Sequence, residues 1–166
     1  MKKLIFLASI GFFGFTACAQ PSHPSSPHDT LSAKNLKVTY GRPYKKGRVI
    51  FGSLEPYGKV YRCGADEATT ITFAKDANFA GKPVKAGTYA LFVIPYETKW
   101  TVILNAQPKQ WGAYDYEKNK DKDVLQADVP VKKLDKPVEQ LTMTAPKDDL
   151  VIAWDVVQVS VPISYK

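Results

Sequence analysis

TYALFVIPYETKWTVILN, residues 88–105, holds two apolar runs separated by a short polar break. Pro95 has no amide hydrogen to give a neighbouring strand and ends the first run. Tyr96, Glu97 and Thr98 then lead into the second, so the stretch predicts a β-hairpin. Side chains alternate across a strand, which puts Trp100, Val102 and Leu104 on one face and Thr101, Ile103 and Asn105 on the other. Apolar groups on both faces predict a central hairpin rather than one lying open to water.

Outward from this hairpin the same pattern continues in short runs broken by Gly, Pro, Asn and Asp, with no long helical periodicity. The expected strands are Leu36–Tyr40, Arg48–Phe51, Lys59–Arg62, Thr69–Phe73, Thr88–Ile94, Lys99–Asn105, Val124–Val131, Val138–Thr144 and Leu150–Val161. About nine strands define an all-β domain, a single β-sandwich of jelly-roll-like or Ig-like type over residues 30–166. The last run is long for one strand and is expected to bend or bulge, with Ile152, Trp154 and Val156 on one side and Val151, Ala153 and Val157 on the other. Residues 106–123 are rich in aromatics and charge, poor in aliphatics, and read as a long loop of the kind that often carries function.

The N-terminus has a different grammar. Lys2 and Lys3 precede an uncharged run from Leu4 to Phe15 and the small residues Thr16, Ala17, Cys18 and Ala19, which predicts a signal peptide over residues 1–17. Phe15-Thr16-Ala17-Cys18 is similar to a bacterial lipobox, in which the cysteine becomes the acylated first residue. Ala17-Cys18-Ala19 also satisfies the small-x-small rule for ordinary cleavage, which releases a soluble chain from Gln20. Residues 18–29, rich in Pro and Ser, suit a flexible stalk after a lipid on Cys18. The apolar run is shorter than the roughly 20 residues of a membrane span.

Net charge is +7, and +5 without Lys2 and Lys3. Most of it is lysine scattered over turns, without the stripe of arginine and aromatics that nucleic acid requires, so no nucleic-acid partner is expected. The histidines, His23 and His28, fall in or beside the stalk, which leaves a His-based triad or zinc site without its ligands in the domain. Cys63 is the cysteine that either cleavage leaves free in the mature chain. It reads either as an inert buried thiol on a strand or as one activated by the neighbouring Arg62.

Candidate binding residues fall in two places. Arg42, Arg48 and Arg62 lie near one another in sequence, the first and last near Asp66 and Glu67. A guanidinium fork suits carboxylates and phosphates, so converging arginines form an anion pocket, whereas pairing with Asp66, Glu67 and Glu55 only ties loops together. Trp111 and Tyr114, with Tyr116 and Asp115, occupy the long loop, as a platform for sugars or other flat ligands or as a cap on the core. Asp66, Glu67, Asp115 and Glu117 also offer carboxylates that can pair as acid and base.

The phrases YGRPYKKGRVIFG (40–52), LEPYGKVYRCGADEATTITF (54–73), GKPVKAGTYALFVIP (81–95), WTVILN (100–105) and QWGAYDY (110–116) together resemble the family known as domain of unknown function 2911, common among exported proteins of Gram-negative bacteria. The likeness spans nearly all of the mature domain in the family's order. It implies a compact sandwich-like fold and an exported setting, with no established activity. Tyr61 and Cys63 stand where Trp and Thr are expected, and Asp66 where Asn is common, so Cys63 is not a family-wide catalytic group.

The reading that results is a lipid-anchored, non-enzymatic envelope module that binds a ligand or protein partner. The alternatives are a carboxylate-dependent hydrolase of envelope glycans and a structural envelope protein without a small ligand. No catalytic residue, cofactor or metal is expected. The neutral residues Ala19 to Ser22 point to an outer-membrane lipoprotein facing the periplasm, or to a soluble periplasmic or secreted protein if Cys18 is not acylated.

Overall fold

The computed structural model describes residues 26–166, so the expected signal peptide, Cys18 and most of the stalk, with His23, lie outside the described residues. The hairpin forms as β6 (Gly87–Pro95) and β7 (Lys99–Asn105), with Leu91 opposite Leu104 and Val93 opposite Val102. Leu91, Val93, Trp100, Val102 and Leu104 enter the main core. Phe92, Ala90 and Ile103 face the other way into a second, smaller cluster. The hairpin is therefore covered on both sides, as its apolar pattern requires.

Around it lie β1 (His28–Ala33), β2 (Leu36–Gly41), β3 (Thr70–Phe73), β4 (Ala77–Phe79), β5 (Lys82–Val84), β8 (Asp123–Thr144), β9 (Leu150–Val161) and β10 (Ile163–Tyr165). A curled antiparallel sheet runs β1-β2-β3-β6-β7-β8-β9, and a small second sheet runs β10-β4-β5. The all-β architecture is as expected, and the concave side of the large sheet holds the aliphatic and aromatic core. Each fully buried Leu, Ile or Phe there contributes roughly 1.5–3 kcal/mol relative to exposure.

The curl comes largely from β8. Its two expected strands are one continuous strand that changes partner, pairing with β7 up to Pro130 and with β9 from Val131 onward. Register shifts between Lys133 and Val138, and between Val138 and Thr142, absorb the bend. In β9, Asp155 opposes Val138 with a φ of 53°. That bulge moves the side-chain alternation by one residue, so Val157 is buried with Ile152 and Trp154, while Val156 is turned out and 37% exposed. The expected bulge is present, and the expected pairing of Val156 with Trp154 on one face is corrected by it.

Two expected strands, Arg48–Phe51 and Lys59–Arg62, make only isolated bridges, Phe51 to Glu55 and Tyr61 to Val93. Gly47, Gly52 and Gly58 have φ of 71°, 87° and 73°, which break an extended run. The segment instead forms a cover that inserts Ile50 and Phe51 into the core, with the Phe51 ring 4.9 Å from that of Trp100. The strand β1 begins at His28, within the expected stalk, because backbone pairing with β2 recruits a polar segment that has no apolar periodicity. Among the described residues no helix is long and apolar enough to cross a membrane.

Candidate functional site

The chain from Arg62 to Glu67 makes a turn held by backbone contact. Cys63 and Asp66 both adopt left-handed backbone conformations, with φ of 54° and 64°. Such residues cost of order 1–3 kcal/mol each and persist where the surroundings enforce them. Here the enforcement comes from β2: a β-carbon on Gly41 would stand 2.3 Å from the carbonyl oxygen of Ala65, whose amide donates back to Gly41 O at 3.3 Å. Thr69, fully buried, donates from Oγ1 to Cys63 O at 2.8 Å. Cys63 itself is buried and lies in this bend rather than on a strand; burial, and then the Glu55 charge, push its thiol well above the usual range.

This turn presents Arg62, Asp66 and Glu67 along one rim. His28, which the sequence places in a solvated stalk, sits here on β1: its Nε2 hydrogen-bonds Glu67 Oε2 at 3.1 Å and lies 3.9 Å from Asp66 Oδ2. Its appearance corrects the expectation that the domain lacks histidine, since the strand pairing His28↔Gly41 brings it to the turn. The Glu67 backbone amide, and then His28, hold the Glu67 carboxyl below its ordinary range. Among the described residues, Asp66 Oδ2 is buried without a hydrogen-bond partner.

The three arginines do not act as one set: Arg48 and Arg62 both act on the half-buried Glu55, and Arg42 is engaged elsewhere. Arg42 is fully employed, pairing with Asp29 at 3.1 Å and donating to Leu141 O and Thr142 Oγ1, which ties β1, β2 and β8 together. Arg48 folds back on its own turn, onto Lys45 O and Tyr44 O. Arg62 donates from Nε to Gly64 O at 3.3 Å and makes no ion pair among the described residues. Of the expected pairings, Arg42 takes Asp29 instead of Asp66 or Glu67, while Arg48 and Arg62 act on Glu55 without an ion pair within 4 Å.

The Arg62 guanidinium instead meets the aromatic loop. A β-carbon on Gly112, whose φ is 64°, would stand 2.7 Å from Arg62 Nη1 and 3.0 Å from the Tyr114 ring. An antiparallel bridge joins Glu67 to Trp111, and Ala68 N donates to Gln110 O at 3.0 Å. Below them the buried Asn105 and Gln110 form a hydrogen-bonded base: Gln110 Nε2 donates to Asn105 Oδ1 and Gln107 O, and Asn105 Nδ2 donates to Asn119 O and Asp123 Oδ1. The loop closes with α1 (Tyr116–Asn119) and a 3₁₀ turn.

The loop aromatics divide. Tyr116 is buried against Phe92, ring centroids 5.0 Å apart, and donates to Asp123 Oδ2 at 2.6 Å; burial, then that acceptor, raise its phenol. Trp111 remains 58% exposed and Tyr114 76% exposed. Trp111 lines a groove of about 270 Å³ with Lys109 and Gln110, which adjoins a second of about 430 Å³ beside His28 and Gly41; the two share Glu67, Ala68 and Thr70. Asp115 and Glu117 pair locally with Lys118 and Lys120 rather than with Asp66 or Glu67.

Fold and rim together define an all-β domain with two exposed aromatic rings on a loop beside Arg62 and Glu67. The chain belongs to the family described as protein of unknown function (DUF2911), whose model matches residues 22–163. No curated protein and no solved structure matches it.

Proposed function

We propose that the protein is a lipid-anchored envelope module that binds a ligand, without turning it over, on the face formed by Arg62, Glu67, Trp111 and Tyr114. The observation that carries this reading is the presentation of Trp111 and Tyr114. A loop that buries Tyr116 and pins its base through Asn105 and Gln110 nevertheless holds two large rings out in water, with Trp111 lining a groove. Rings held rigidly in water lose little entropy on binding and offer much apolar area. The strained turn that carries Arg62 and Glu67 gives further support, because such strain concentrates at functional sites. The anchor on Cys18 rests on the lipobox-like Phe15-Thr16-Ala17-Cys18, and a periplasm-facing outer-membrane location on the neutral residues after it.

A binding role without turnover is supported by the chemistry of the rim. Glu67 is held ionised and is no proton donor at neutral pH, and Cys63, the thiol among the described residues, is buried. The test is a pair of measurements on protein isolated from its own membrane. Intact mass should correspond to a chain from Cys18 with acyl groups, lost in Cys18→Ala; a soluble chain from Gln20 overturns the anchor. Trp111→Ala should retain the wild-type unfolding midpoint and lose retention of solubilised envelope material; unchanged retention overturns the site.

A further inference from the structure

The ligand-binding reading above leaves the chemistry of the ligand open, and the inference here rests on it. We infer that the ligand is an acidic saccharide, its ring lying on the Trp111 and Tyr114 platform and its carboxylate or phosphate taken by Arg62. Arg42 spends both terminal nitrogens, on Asp29 and Thr142, and Arg48 spends Nη2 on a backbone carbonyl, whereas the hydrogen bond of Arg62 uses only Nε, on Gly64 O, and its charge is felt by Glu55 without an ion pair within 4 Å. A planar fork whose terminal nitrogens make no hydrogen bond to the protein among the described residues, Nη1 lying against Gly112, is suited to capture of a carboxylate or phosphate.

Its position makes that capture specific. The guanidinium lies against Gly112 beside the Tyr114 ring, and the absence of a side chain at residue 112 is what lets the cation, the backbone and the ring meet. A sugar has apolar C–H faces that stack on such rings and hydroxyls that need acceptors, and the stacking of a flat face on an exposed aromatic is worth a measurable part of the binding energy. Glu67, paired to Trp111 by a backbone bridge and kept ionised, supplies an acceptor for hydroxyls. His28 hydrogen-bonds Glu67 and lies near Asp66. A neutral sugar would leave the Arg62 fork unmatched; a plain anion would leave the rings bare.

The test is calorimetric titration of the mature protein in detergent with trigalacturonic acid, glucose 1-phosphate, neutral galactotriose and inorganic phosphate. At least one acidic sugar should bind ten-fold or more tightly than galactotriose and than phosphate alone. Arg62→Gln should bring it to the neutral level, Arg62→Lys should recover only part, and Trp111→Ala should weaken acidic and neutral sugars alike. The two acidic sugars distinguish a carboxylate source from a phosphate source. Equal binding of galactotriose, with no effect of Arg62→Gln and a loss in Trp111→Ala, overturns the acidic assignment and leaves the binding face standing. Binding of phosphate as tight as of any sugar, or of no sugar at all, also overturns it. The unfolding midpoint of each variant separates lost contact from lost fold.

Discussion

Arg62 and Gly112 meet so closely that a β-carbon on residue 112 would stand 2.7 Å from the Arg62 Nη1. The contact joins the strained turn after Tyr61 to the aromatic loop, two segments far apart in sequence, and makes one face of them. Gly112→Ala should separate them. The left-handed φ costs a non-glycine residue about 1 kcal/mol, while the clash falls on the flexible end of an arginine and is relieved by moving it. The variant should therefore fold with a slightly lower urea midpoint and bind about ten-fold more weakly. Wild-type binding would mean that the position of the guanidinium does not matter.

The contact between Gly41 and Ala65 is of another kind, because both sides are backbone. A β-carbon at residue 41 would lie 2.3 Å from Ala65 O and 2.9 Å from Ala65 C, with no flexible side chain to give way. Gly41→Ala should cost about 3 kcal/mol or more, in the range of severe overpacking. Denaturant unfolding measures it, and a loss below about 1 kcal/mol would show that the turn moves freely against β2.

Glu55 carries a titration that stability should report. Burial raises its carboxyl from the model-compound value of 4.5 to about 7, against the opposing pull of Arg62 and then Arg48. The folded chain thus keeps a proton that the unfolded chain releases, so the Glu55 contribution to stability is fully present below pH 4.5 and is lost as pH rises toward 7, by no more than about 3 kcal/mol. Glu67 and Asp128, whose carboxyls are held low, act in the opposite sense at more acid pH. Glu55→Gln should flatten the decline between pH 4.5 and 7, and an unchanged slope would place the titrating group elsewhere.

Tyr61 offers a test of an orphaned donor. Its hydroxyl is buried and without a hydrogen-bond partner among the described residues, and its ring stacks on Trp154 at 6.5 Å. Losing a buried group that has no partner removes a desolvation cost of about 1–3 kcal/mol and breaks no bond. Tyr61→Phe should therefore be neutral or stabilising in thermal unfolding. A clear loss would reveal a partner for the hydroxyl.

The hairpin was legible because both of its faces carry apolar side chains at strand period, and the two-sided burial of Trp100 and Ile103 is the physical counterpart of that pattern. Patterning is silent where backbone pairing does the work. Polar β1 has no stripe to read and is held by its bonds to β2, so His28 arrived at the site unannounced. The bulge at Asp155 was foreseeable from the length of β9, but the residue where alternation changes depends on which residue opposes it in β8. At the site, the sequence marks Trp111 and Tyr114 but not their exposure, because whether an aromatic caps a core depends on what else reaches it, and here Tyr116 packs on Phe92. In the sequence Arg62 stands out only by its nearness to Arg42 and Arg48, whereas in the fold what sets it apart is its contact with Gly112.

Of the three tryptophans, Trp100 and Trp154 are buried in the core and Trp111 stands on the surface, so their indole N–H resonances report separately on core and face. The decisive measurement is the nitrogen-15 spectrum of the mature protein while a solubilised saccharide fraction from a Gram-negative envelope is added. Movement of the Trp111 indole resonance with the other two at rest is the predicted result. A Trp111 resonance that stays fixed, or movement of Trp100 and Trp154 instead, would contradict a ligand face built on Trp111 and Arg62.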